Sequence, residues 1–223
     1  MSGFSTTRPT REGSVAEYSG DDPRQKDGVS PRLCGLVLAA GAGSRYGSPK
    51  ALARDRNGTP WVVRAVEMLR RGGCDDVVVA LGAAAEQAAH LVPEGTTIVT
   101  VADWENGVAA SLRAGLRHPT CRDTDAVIVT PVDTPDASPH AVRRLSDIAG
   151  LNCRAALAQA TYRGAPGHPV LIGHDHLDAI ARTIRGDIGA RPYLIRNGVR
   201  EIECGDLWSG ADIDTWVADR SVA

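Results

Sequence analysis

The chain has 223 residues, 43% of them hydrophobic and 23% charged, with a formal net charge of −2. That length suits one sizeable α/β domain and is short for two, and the near-neutral balance speaks against a dedicated nucleic-acid or membrane-surface protein. No apolar run approaches the ~18 residues of a membrane span, and the five cysteines stand singly without a CxxC pair, so reduced thiols in a cytoplasmic protein are expected rather than a zinc site or a disulfide frame. Residues 1–31 are rich in Ser, Thr, Gly, Pro, Asp and Arg, lack the apolar core of a secretion signal, and read as a disordered tail. Residues 32–223 read as the folded domain. From Leu33 onward strands and helices alternate. "LCGLVL" is a short buried strand, and "PWVVRAVEMLRRGG" a helix with Thr59 as a candidate N-cap, Pro60 in the first turn and Gly72 as its stop. "DVVVAL", "TIVTV" and "DAVIVT" read as strands, separated by helices in "AAAEQAAHL" and "VAASLRAGLRH" and followed by one in "PHAVRRLSDIA". Later come "AALAQATY", "PVLIG", a helix near "HLDAIARTI", then "VREIEC" and a closing helix after Asp214. Continuous Val/Ile/Leu runs between helices predict a mostly parallel sheet covered on both faces. Ligands of such sheets sit beyond the carboxyl ends of the strands. Two segments stand there: the loop from Ala39 to Lys50, and "TPVDTPD" after Thr130.

The first segment is glycine-rich. Gly41, Gly43 and Gly47 let the backbone approach a ligand closely, and successive N–H groups can form an anion nest. A P-loop would need a lysine directly after glycine and before Ser or Thr, but Lys50 follows Pro49 and precedes Ala51. A dinucleotide fingerprint would need the third glycine one place earlier and an acid near the end of the next strand, where "VALGAAA" has none. The remaining reading is a nucleoside triphosphate cradle with Arg45 and Lys50 supplying charge. Of the 25 basic residues only Lys26 and Lys50 are lysine, so the folded body keeps its one lysine at the end of this loop.

"LAAGAGSRYGSPK" resembles the LxAGxGxRxGxxK signature of nucleotidyltransferases with a Rossmann-like domain, the MobA-like family. "DWENGVAASLRAGL", "VDTPD", "RGAPGHPVLIG", "GDIGARPYL" and "DIDT" resemble segments of its molybdenum cofactor cytidylyltransferase branch, so the resemblance runs from about Leu33 to Asp219. Two places depart from that branch: "PVDTP" stands where Gly-Asp-Gln-Pro is more usual, and Ile188 where an arginine is common. Both fall on the acceptor side. The resemblance implies a three-layer Rossmann-like α/β fold with one antiparallel strand near the edge. It implies magnesium-dependent transfer of CMP from CTP to molybdopterin cofactor, with a molybdoenzyme or its chaperone as a further partner.

The residue roles follow from the same resemblance. Ala39, Ala40, Gly41, Ala42, Gly43 and Ser44 would cradle the nucleotide, with Gly82 beside it. Arg45 would hold the β/γ end of the triphosphate with its planar fork, and Lys50 would place a compact charge at the α-phosphate. Asp133 and Asp214 would bind magnesium, although Asp133 could equally serve a turn and Asp214 could start a last helix with Thr215. Glu105, Gly107, Ser111 and His168 would face the acceptor; ordinary helix capping and a structural histidine are the alternatives. "HDH" at His174–His176 is not read as a metal site, because residues two apart on a helix diverge. Ala40 in place of a second glycine would favour a cytidine over a guanosine nucleotide. Two other functions remain open: an NAD(P)H-dependent oxidoreductase on the same scaffold, like an enzyme of nicotine breakdown, and a non-catalytic nucleotide-binding factor in molybdoenzyme maturation.

Overall fold

The computed structural model describes residues 30–214. The expected disordered tail, 1–31, therefore lies outside the described residues apart from Ser30 and Pro31, and so does the helix expected after Asp214. Seven strands, β1 (Leu33–Ala39), β2 (Asp76–Leu81), β3 (Thr97–Thr100), β4 (Ala126–Pro131), β5 (Leu157–Tyr162), β6 (Ala165–Gly173) and β7 (Arg200–Glu203), form one sheet in the order β3-β2-β1-β4-β6-β5-β7. All neighbours pair in parallel except β6, which runs antiparallel to β4 and to β5. The antiparallel strand thus lies two strands in from the β7 edge.

The helices are α1 (Trp61–Arg71), α2 (Ala85–Ala89), α3 (Val108–Arg117), α4 (Pro119–Arg122), α5 (Pro139–Ala149), α6 (His174–Thr183) and α7 (Arg191–Arg196). Strand alternation divides the core between the two faces. Leu33, Val37 and Ala39 of β1 pack with α1 and α5 residues such as Val62, Leu69, Val142 and Leu145. Cys34 and Leu36 of the same strand pack with Leu112 and Leu116 of α3 and Leu177 and Ile180 of α6. This gives three layers, with β1, β2 and β4 buried on both faces. The two edge strands differ: β3 alternates half-buried with exposed residues, with Ile98 37% exposed, and β7 buries only Ile202. Thr59 does not cap α1. Pro60 takes the N-cap position, while the Thr59 N–H donates to Asp55 Oδ1 at 2.9 Å in the preceding turn.

The sheet order places the site. From β1 the chain moves outward through β2 and β3, then returns to pair β4 on the other side of β1. The ends of β1 and β4 are in register, Leu38 opposite Pro131. The two loops that leave these ends therefore start side by side, at the switch point where a doubly wound sheet opens a crevice.

Candidate nucleotide and metal site

The loop after β1 is shaped by its own backbone. Gly43 has φ +63°, and a Cβ there would lie 2.0 Å from the Ser48 carbonyl oxygen, so the turn admits no side chain. Tyr46 and Gly47 both donate their N–H to Gly43 O, at 2.9 and 2.8 Å, and close it. The Tyr46 ring packs on Trp61 of α1 with centroids 5.2 Å apart, which anchors the loop to the body. The N–H groups of Gly41, Ala42, Gly43, Ser44 and Arg45 donate to no group among the described residues. Five successive donors on a glycine turn are what a polyphosphate needs.

Charge converges on this nest. Lys50 opens a 3₁₀ turn, and its Nζ donates to Asp133 Oδ2 at 2.8 Å and to Asp214 Oδ1 at 2.9 Å. Arg45, still 78% exposed, donates to Asp214 Oδ2 at 3.0 Å. Burial pushes the Lys50 ammonium down, but the hydrogen bonds to Asp133 and Asp214 outweigh it, so its pKa stands above the ordinary 10.5. The same bond from Lys50 holds Asp214 below the ordinary 3.8. Asp214 arrives from far along the chain. After β7 the segment crosses Tyr162, where Gly210 has φ +76° and leaves no space for a Cβ, 2.2 Å from the ring. Ile213 N then donates to Asp133 O at 2.9 Å and fastens the segment to the β4 loop.

The acidic groups test the expected magnesium. Asp133 Oδ1 is buried and has no hydrogen-bond partner among the described residues. Asp133, Asp212 and Asp214 each offer a carboxylate oxygen within 4.8 Å of one another. An orphaned buried carboxylate oxygen beside two further hard oxygen donors fits a small divalent cation. Asp212 joins Asp133 and Asp214 in this group, a set wider than the expected pair.

Most of the expected residues meet in one cleft of 570 Å³. Ala39 to Arg45, Lys50, Glu105, Gly107, Ser111, Asp133, His168 and Asp214 all line it. Gly82 does not. It lies behind Ala40, where a Cβ would come within 2.7 Å of the Ala40 carbonyl and 2.5 Å of Trp104, so its role is to let the Trp104 segment close against the loop. At the start of α3, Ala109 N already donates to Gly186 O at 2.9 Å, and Gly107 leaves no Cβ space beside Asp187 Oδ1. One donor of that helix end is spent and a carboxylate stands next to it, which weakens the expectation of a phosphate there. His168 is half-buried; burial lowers its pKa against the opposing pull of Asp133 and Asp212, which leaves a neutral imidazole at neutral pH. His174 and His176 diverge: the first binds Thr124 O at 3.0 Å, the second Tyr193 Oη at 2.9 Å and Ala155 O at 3.1 Å. Tyr46, Trp104, Val108 and Asp187 also line the cleft and were not singled out from sequence. All four sat within the quoted motifs, so that signal was present.

Among the described residues no helix is long and apolar enough to cross a membrane, and Cys34, Cys74, Cys121, Cys153 and Cys204 are all free and buried. A family model described as the MobA-like NTP transferase domain matches residues 35–201. The nicotine blue oxidoreductase of Paenarthrobacter nicotinovorans is 36% identical over 194 residues, 83% of this chain and 93% of that protein. A probable molybdenum cofactor guanylyltransferase of Rhodopirellula baltica is 31% identical over 108 residues, 48% of this chain, so that this chain spans about half of that relative (51%). The crystal structure of Rv0371c from Mycobacterium tuberculosis H37Rv aligns with a TM-score of 0.70 at 28% identity, over 84% of this chain and 95% of that one. Rv0371c in complex with manganese aligns at 0.62 and 25% identity, over 78% and 88%. With the matched segment running from β1 into β7 and carrying both loops of the switch point, the chain belongs to the MobA-like NTP transferase domain family, a family of nucleotidyltransferases.

Proposed function

We propose that this protein transfers CMP from CTP to a molybdopterin-type acceptor in the cytoplasm, with magnesium as its cofactor. The observation that carries the reading is Lys50, held at 2.8 and 2.9 Å between Asp133 and Asp214 at the mouth of five unpaired backbone amides. Nucleotidyl transfer brings an anionic nucleophile to an anionic phosphorus, so positioning and charge neutralisation are most of the catalysis. The amides of Gly41 to Arg45 take the triphosphate oxygens. Arg45 turns from Asp214 to the β/γ end, and Lys50 holds the α-phosphate. Asp133 and Asp214, with Asp212 beside them, would hold magnesium, which when bound neutralises charge shared between the phosphates. Manganese in the complex of Rv0371c, a relative at 25% identity, supports a divalent site in this fold.

CTP is favoured over GTP on Ala40. Its backbone is pinned by Ala83 N donating to Ala40 O at 2.9 Å, and Ala40 lines the cleft where the resemblance expects a glycine for guanosine nucleotides. A second reading, NAD(P)H-dependent reduction, is favoured by the 36% identity to nicotine blue oxidoreductase over most of both chains. One experiment separates them. Pyrophosphate release is measured with CTP or GTP, magnesium and a molybdopterin acceptor, and NADPH oxidation is followed in parallel. Release from CTP supports the transferase, a GTP preference removes the cytidine assignment, and NADPH turnover without pyrophosphate replaces the transferase reading. A chain that binds CTP but turns over neither would be a binding factor.

A further inference from the structure

A second cavity, of 500 Å³, adjoins the cleft; Pro131, Asp133 and His168 line both. The acidic group straddles the pair: Asp214 lines the cleft, Asp212 the adjoining cavity, and Asp133 both. Three carboxylates within 4.8 Å of one another repel, so bonds outside the group must hold the strap, residues 205–214, that carries two of them. At its start Arg144 of α5 grips Asp206 with two bonds, at 2.6 and 2.7 Å, and at its end Ile213 N reaches Asp133 O. Between these anchors stands a buried hydroxyl. Tyr162 closes β5, is 6% exposed and lines neither cavity. An indole N–H can only donate, so Tyr162 Oη accepts from Trp208 Nε1, at 2.5 Å. Its own proton then goes to the His168 carbonyl oxygen, at 2.6 Å. Burial pushes the phenol pKa up, so the group stays protonated and keeps donating at neutral pH. The ring meets Trp208 edge-on, with centroids 5.2 Å apart, and fills the space where a Cβ on Gly167 or Gly210 would stand. One hydroxyl thus joins the His168 segment to the strap just ahead of Asp212. Gln159, also on β5, turns instead to Arg191 of α7, at 3.0 Å.

We propose that Tyr162 is a positioning residue of the divalent-cation site: its hydroxyl, shared between Trp208 and His168 O, sets how closely Asp212 and Asp214 stand to Asp133. The assignment rests on the proposed function above, in which these carboxylates hold the metal. Without the hydroxyl the strap keeps both outer anchors and loses its tie in the middle. Mutual repulsion of the carboxylates then widens the group, and a small cation that demands short bonds to oxygen is held less well. The amides of Gly41 to Arg45 lie on another segment that Tyr162 does not touch, so nucleotide binding without metal is left as it is.

The test is Mn2+ binding to the full chain without nucleotide, read from the electron paramagnetic resonance of the free ion. Saturable binding is expected for the native chain. Tyr162→Phe keeps the ring against both glycines and removes both bonds of the hydroxyl, so it should weaken Mn2+ about tenfold. Trp208→Phe breaks the same tie from the strap side and serves if the first variant does not fold. The double variant should lose little more than Tyr162→Phe alone, because the two residues share one bond. CTP binding in EDTA should be unchanged in all three. Tyr193→Phe removes a tyrosine hydroxyl bonded to His176, away from the strap, and should leave Mn2+ affinity as it is. In turnover, the magnesium needed for half-activation should rise in Tyr162→Phe while kcat at saturating magnesium holds. Unchanged Mn2+ affinity in the Tyr162 and Trp208 variants, an equal loss of CTP binding, or a native chain that binds no Mn2+ overturns the proposal. A chain that binds Mn2+ as expected but releases no pyrophosphate would leave Tyr162 in its role and remove the transfer reading instead.

Discussion

The two cavities that meet at Asp133 are built on opposite plans. The cleft takes one wall from a continuous loop, residues 41–50, which presents unpaired backbone amides and two cations. The adjoining cavity takes its surface from β4, β5, β6, α3 and α7, and side chains from the hydrophobic core form its walls. Backbone donors are insensitive to side-chain change, so the first half can stay fixed while the second varies with a few core substitutions.

Substitutions should break the halves differently, and the largest effect belongs to their shared residue. Asp133→Asn keeps shape and removes charge from the group with the orphaned oxygen. Turnover should fall roughly 10³-fold, the upper range for losing one electrostatic stabiliser. The fold should remain, since the Ile213 bond is to the Asp133 backbone carbonyl; pyrophosphate release and a thermal melt would read the two effects. Lys50→Arg comes next. Its ammonium sits 15% exposed between two carboxylates, behind Pro49, and a planar fork cannot occupy that point. A roughly 10²-fold loss of turnover with nucleotide affinity nearly unchanged is expected; equal turnover would make Lys50 a structural ion-pair residue only.

Gly210→Ala probes the same half from outside the cleft. The added methyl would meet Tyr162 at a left-handed backbone position, a strain of about 1–3 kcal/mol. It falls on the segment that delivers Asp214, so turnover should drop about tenfold while the melting temperature of the sheet body changes little. The smallest effect is on pH dependence. Asp214 has its pKa depressed by Lys50, so its stabilisation is present above the unfolded value of 3.8 and is lost as pH falls through the lower folded value. Lys50 has its pKa raised, so its share is present below the unfolded 10.5 and is lost as pH rises through the higher folded value. The melting difference between the native chain and Asp214→Asn should therefore stay flat from about pH 5 to about pH 9 and close in strong acid. A difference that changes through neutrality would point to another titrating partner.

The cleft was legible in sequence because its chemistry is contiguous. Three glycines, Arg45 and Lys50 within ten positions signal an anion turn before any fold is known. The strand–helix alternation was legible for the same reason, since hydrophobic periodicity is local. The segment of Asp133 was marked by its place after a strand, but its role and that of Asp214, 81 positions away, came only from motif resemblance, because nothing local marks either as sharing a lysine. What escaped depends on tertiary approach. Gly82 looked like a ligand contact and is a packing glycine under Trp104. Thr59 looked like a cap, but α1 starts at Trp61 and Pro60 takes the N-cap position, one residue beyond it. The short helices α4 and α7, of four and six residues, carry too few turns to show a period. Gln159 and Arg191 meet through an approach of β5 to α7 that no residue pattern announces.

The hydrogen bond from Ile213 to Asp133 also separates the completion of the fold from the completion of the site. All seven strands end by Glu203, and none of them includes the residues that bring Asp214 to Lys50. A strap outside the sheet can lift and dock again without unpairing a strand, so the site can come apart while the body stays intact.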